Sequence, residues 1–83
     1  MRKKSSRSPE SPPAWSVALG EEVRRRRKVL RLTQAELADL ANCGPDFLYD
    51  LERGKPTIRI DKLMLVLEVL GLTFKLEPRV PTA

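Results

Sequence analysis

Two short helices joined by a three-residue break restrict this chain's fold more than any other feature. Thr33-Gln34-Ala35-Glu36 is a Ser/Thr-x-x-Glu capping box, in which hydroxyl and carboxylate each satisfy an orphan main-chain amide at a helix start. Leu37, Ala38 and Ala41 then fall on one face. Asn42-Cys43-Gly44 breaks that helix. Pro45 suits the first position of the next one, which is predicted to run to about Arg53 and to stop at Gly54. Leu37, Ala38, Leu48 and Leu51 are the residues expected to hold the pair together.

The rest of the chain supplies a scaffold for that pair. A helix is predicted from Ser16, with Leu19, Val23 and Leu30 on one stripe at 100° per residue. Glu21 and Glu22 lie in its early turns and Arg24 to Lys28 in its late ones, a polarity that suits the helix dipole. A further helix runs from about Ile60 to Leu70, and its apolar residues leave little polar face. A chain of 83 residues has room for one small domain, so this helix is expected to pack on its own core and on a second chain. Beyond Gly71 the period changes to two: Leu72, Phe74 and Leu76 alternate with Thr73, Lys75 and Glu77 until Pro78, which reads as a β-strand over 72–78. A lone strand needs a ladder partner from another chain, and an identical strand of a second subunit fits best. The alternative is an extended tail packed on the last helix. Val66, Val69, Leu72, Phe74 and Leu76 are the residues expected at a homodimer interface.

Composition narrows the chemistry. The chain has no histidine and one cysteine, which excludes the usual zinc sites, Ser-His and Cys-His dyads and an intramolecular disulfide. No metal, cofactor or enzymatic activity is expected. The longest apolar run, Leu63 to Leu67, is far short of the ~20 residues that span a bilayer, so a cytoplasmic protein is expected. Sixteen Lys and Arg against eleven Asp and Glu leave a net charge of +5, which favours nucleic acid as the partner. Arg2, Lys3, Lys4 and Arg7 against Glu10 hold more than half of that excess in a Ser- and Pro-rich arm, residues 1–13, that is expected to be disordered. The organisation is then an arm over 1–13, a helical domain over 14–71, a strand over 72–78 and a short tail over 79–83.

The spacing from Leu32 to Gly54 resembles the helix-turn-helix of the phage-repressor and Cro (XRE-type) family, residue by residue at Leu32, Thr33, Gln34, Glu36, Leu37, Ala38, Leu48, Leu51, Glu52, Arg53 and Gly54. The resemblance implies an all-α, lambda-repressor-like fold of four to five helices, closed here by one C-terminal β-strand pairing across a homodimer. The first helix of such a pair crosses the phosphates and the second enters the major groove. It also implies that Gln34 hydrogen-bonds phosphate, that Lys55 and Arg59 touch phosphate after Gly54, and that Arg27 pairs with Glu52 while belonging to the DNA-binding set. Periodicity alone leaves Arg26 and Arg27 open as the partner of Glu52.

Helical spacing places Asp46, Tyr49, Asp50 and Arg53 on the outward face of the second helix of the pair, with Phe47 at its edge. These five are the candidate base-contacting residues, since Asp can accept from a cytosine amino group and Phe can touch a thymine methyl. Two carboxylates near phosphates are costly unless paired, and the alternative is that Asp46 serves the helix N-terminus and Asp50 pairs with Arg53 on the surface. Cys43 is read as packing and Trp15 as a cap on the core. A helix-turn-helix followed by an apolar helix and then Gly-Leu-Thr-Phe-Lys-Leu-Glu-Pro resembles the HipB-like antitoxins, prokaryotic nucleoid-associated homodimers that repress their own operon and bind a HipA-like kinase toxin. The resulting expectation is a repressor of an inverted-repeat operator on double-stranded DNA. The alternatives are a protein-interaction module on the same scaffold, or a regulator without a toxin.

Overall fold

Pro13 caps the first helix. Its carbonyl accepts the Ser16 and Val17 N–H groups and, at 3.0 Å, the Ser16 hydroxyl. In the computed structural model, which describes residues 11–80, helix α1 then runs over Ala14–Val29, α2 over Gln34–Leu40, α3 over Pro45–Glu52 and α4 over Ile60–Leu70. The expected arm is described only at Ser11–Pro13; residues 1–10, and 81–83 of the tail, lie outside the described residues.

Local chemistry sets the helix ends. The Thr33 hydroxyl accepts the Glu36 N–H at 3.0 Å, and the Glu36 carboxylate accepts the Thr33 N–H at 2.8 Å, so the capping box is complete. α2 ends before Asn42, which takes φ of 56°, a conformation asparagine tolerates better than most residues. Pro45 opens α3 as expected, and α3 ends at Glu52, with Arg53 as its cap. α1 ends at Val29, which leaves Leu30 outside the helix and exposed, so only Leu19 and Val23 of the predicted stripe reach the core.

The core is one cluster: Val23 of α1, Leu37 and Ala38 of α2 with Ala41 behind it, Leu48 and Leu51 of α3, and Leu63, Val66, Leu67 and Leu70 of α4. α1 lies against α3 and α4, and α2 packs on the same two helices. At the α1–α3 crossing Gly20 is buried, and a Cβ there would fall on the carbonyl oxygens of Leu51 and Glu52, the latter 2.8 Å away. Backbone contact at this point brings the ends of α1 and α3 close enough for their side chains to bond.

Beyond α4 the structure differs from the sequence expectation. The Leu72 N–H closes on Leu67 O at 2.9 Å, and no strand is present among the described residues. A strand is defined by its ladder, and a single chain supplies no partner for 72–78. Val66, expected at a dimer interface, is fully buried in the chain's own core, because it shares the inward face of α4 with Leu63 and Leu70. Val69 and Leu72 are half-buried against that core, while Phe74 and Leu76 are exposed. Trp15 is 57% exposed; it does not seal the core but lines an apolar groove with Leu19, Ile58, Ile60, Leu63 and Phe74. Cys43 is half-buried beside the core, and burial pushes its thiol up from its ordinary pKa.

Candidate nucleic-acid interface

Of the two candidate arginines on α1, Arg27 pairs with Glu52. Its Nε donates to Glu52 Oε2 at 2.6 Å, one Nη donates to Oε1 at 3.0 Å, and the other donates to the Leu32 carbonyl at 2.8 Å. The side chains are only 10% and 3% exposed, so this is a buried, bidentate pair. Arg26 turns instead to the C-terminus of α4, where its Nε donates to Leu70 O at 2.8 Å. Both arginines thus serve tertiary structure, each tying α1 to a different helix. Burial pushes the Glu52 carboxyl up, but hydrogen bonds from Arg27 and Gln34 and the charges of Arg27 and Arg24 outweigh it and hold the group below the usual carboxylate range. The bond to Glu52 raises the Arg27 guanidinium in turn.

The same network takes up Gln34. Its Nε2 donates to Glu52 Oε1 at 3.0 Å, so one of its two amide hydrogens is committed inside the chain. Arg27, counted with the DNA-contacting residues by sequence, is buried and spends three of its five N–H donors inside the chain, one at Nε and one at each Nη.

The outward face of α3 is only partly as expected. Tyr49 and Arg53 are exposed, and Arg53 donates to the Tyr49 hydroxyl at 2.7 Å with its guanidinium 5.2 Å from the ring centre. Asp50 pairs with Lys55 at 3.5 Å, not with Arg53, because the chain turns at Gly54 and returns Lys55 beside α3. Asp46 is exposed in the first turn of α3 and has no ion-pair partner among the described residues. Phe47 is half-buried against the core. Arg59 is held 2.6 Å from Asp61 at the start of α4, and its guanidinium lowers that carboxyl.

Tyr49, Arg53, Gln34, Arg27 and Glu52 converge on one open cleft of about 340 Å³, and Arg24 completes its lining. By sequence Arg24 counted only among the basic residues in the late turns of the first helix. The available signal was its spacing: it lies three residues before Arg27, the residue whose partner is on α3. Residues 18–78 match the helix-turn-helix domain family.

The chain belongs to that family. This helix-turn-helix protein is similar to an uncharacterized HTH-type transcriptional regulator, y4mF, of Sinorhizobium fredii, with 49% identity over 53 residues, 64% of this chain and 70% of the relative. It is also similar to the clp gene regulator ClgR of Corynebacterium glutamicum, with 32% identity and a TM-score of 0.66 over 76% of this chain and 81% of the other. The restriction-modification controller protein C.AhdI of Aeromonas hydrophila shares the fold, with a TM-score of 0.67 over 74% of this chain and 92% of its own, at 23% identity. The helix-turn-helix pair is α2 and α3. No helix among the described residues is long and apolar enough to cross a membrane.

Proposed function

We propose that this helix-turn-helix protein is a DNA-binding transcriptional regulator that represses from an inverted-repeat operator, with α3 in the major groove and α2 across the phosphates. The supporting observation is the division of α3 into two faces: Leu48 and Leu51 are buried, while Tyr49, Arg53 and Asp46 face solvent. The acidic face is less costly than composition suggests, because Lys55 neutralises Asp50 and only Asp46 remains to accept from a cytosine amino group. Gln34, Phe47, Lys55 and Arg59 complete the proposed DNA-contacting set, Gln34 through its remaining amide hydrogen. The named relatives include transcriptional regulators, which supports the same reading.

The test is a shift assay on DNA upstream of the protein's own gene. About eight phosphate contacts give a slope of log K against log salt near −7. A salt-insensitive signal, or none, overturns the proposal.

The proposed binding unit is a homodimer joined through residues 72–78, with half-sites about 34 to 36 Å apart. Phe74 and Leu76 are exposed and the segment's main chain has no ladder, which supports that interface. Phe74→Asp is expected to leave monomer by sedimentation where the parent is dimer. A HipA-like kinase toxin rests only on the resemblance of the element order and this C-terminal run; co-purification with the product of an adjacent kinase gene tests it, and free passage of the two proteins removes the antitoxin reading.

A further inference from the structure

The cleft between α1 and α3 combines features that suit an anion. Its lining holds three guanidiniums, from Arg24, Arg27 and Arg53, against the single carboxylate of Glu52. That carboxylate is already engaged at three of its four acceptor sites: Oε2 takes the Arg27 Nε, and Oε1 takes both an Arg27 Nη and the Gln34 amide. The floor of the cleft is therefore an internally neutral pair, and the charges of Arg24 and Arg53 stand over it unopposed. Arg53 is held in place, since its Nη1 donates to the Tyr49 hydroxyl and its guanidinium carbon lies over the Tyr49 ring. Arg24 is exposed and has no ion-pair partner among the described residues, unlike Arg25 next to it, which is tied to Glu22. The two unopposed guanidiniums come from different helices, so a ligand gripping both would bridge α1 to the end of α3.

We infer that this cleft is a phosphate clamp, in which Arg24 and Arg53 grip one backbone phosphodiester while the Arg27–Glu52–Gln34 network fixes the spacing between their helices. The inference rests on the DNA-binding reading and adds to it a contact from α1, outside the helix-turn-helix pair. Arg24 is the ligand-gripping residue that distinguishes it, and Glu52 and Tyr49 are positioning residues. A single oxyanion between two guanidiniums requires planar, multi-donor groups at fixed separation, which arginine supplies and lysine only partly reproduces. Grip at this point carries no sequence information; it sets the register of α3 in the groove.

The experiment measures the salt dependence of operator and non-operator binding for the parent, Arg24→Gln, Arg24→Lys and, as a control on the same helix, Arg25→Gln. Loss of one phosphate contact per subunit, two per dimer, lowers the slope by about 1.8, so the ratio of parent to Arg24→Gln affinity shrinks about 12-fold between 50 and 200 mM salt. The loss is expected to be equal on both DNAs, Arg24→Lys to keep the parent slope, and Arg25→Gln to change neither. A parent that binds DNA with an Arg24→Gln slope equal to its own overturns the clamp and leaves the regulator reading intact; a parent that binds no DNA overturns the regulator reading first. Titration of the DNA-free protein with inorganic phosphate, followed by the Arg24 Nε–H resonance, separates the two sources of phosphate. Saturation at millimolar phosphate with an unchanged DNA slope would assign the cleft to a free anion and overturn the operator contact.

Discussion

Between α2 and α3 the chain satisfies its own chemistry, and over residues 72–80 it does not. The helix-turn-helix pair has a closed capping box at Thr33 and Glu36, a buried Arg27–Glu52 pair clamping α3 to α1, and Leu48 and Leu51 without access to solvent. Among the described residues the C-terminal segment makes its last main-chain hydrogen bond at Leu72, and it carries Phe74, Leu76 and Val80 to the surface, Leu76 at 85% exposure. The contrast separates two kinds of apolar and polar usage. One region is built to keep its shape without help, which a groove-reading helix requires. The other leaves apolar side chains and main-chain groups without partners among the described residues, which fits the proposed completion by a second chain.

The largest expected effect comes from breaking the self-sufficient region. Glu52→Ala leaves the buried Arg27 unpaired and is expected to destabilise the domain by about 3 to 5 kcal/mol. For a domain of this size that lowers the thermal midpoint by well over 10 °C, read by circular dichroism. A midpoint unchanged from the parent would mean that α1 and α3 are not clamped. Gly20→Ala attacks the same junction from the backbone side, since its methyl group meets the Leu51 and Glu52 carbonyls; about 1 to 3 kcal/mol is expected to be lost.

Smaller effects sharpen the comparison. Thr33→Ala removes one half of the capping box and costs about 1 kcal/mol, measured by urea denaturation. Acid tests the pair without mutation. Because the folded state holds the Glu52 carboxyl below its ordinary value of 4.5, its contribution to stability is complete above that pH and is lost as pH falls through the folded value. Denaturation midpoints should therefore fall more steeply below pH 4.5 in the parent than in Glu52→Gln. At the other end, Leu76→Asp should change stability by no more than about 0.5 kcal/mol, since an exposed side chain has little to lose on folding. The same substitution should shift sedimentation toward monomer if residues 72–78 form the proposed interface. A large loss of stability with no change in assembly would invert the contrast between the two regions.

Much of this arrangement is legible in the sequence, wherever the deciding contacts are between near neighbours. The capping box, the break at Asn42-Cys43-Gly44, Pro45 at the start of α3 and the span Ile60–Leu70 of α4 are all set within a few residues, and each appears where periodicity and capping place it. Helical spacing also assigns Tyr49 and Arg53 to the exposed face of α3 and Leu48 and Leu51 to its buried one. Distant contacts are different. Asp50 finds Lys55 instead of Arg53 because the turn at Gly54 folds the chain back, and Val66 joins the core because α4 turns that side toward α1 and α2.

By itself the sequence determined four helical segments, the paired helices at the centre, the absence of histidine chemistry and an alternating apolar run after Gly71. Only the tertiary structure decided between Arg26 and Arg27, whose periodicities differ too little to choose, by bringing Glu52 to one and the Leu70 carbonyl to the other. It also committed one Gln34 hydrogen to Glu52, gave Gly20 its role at a backbone crossing and set Arg24 beside Arg53 over a neutral floor. The reason is one of range. A helix is written in residues three and four apart, whereas a charge pair across 25 residues exists only once α1 has been laid across α3.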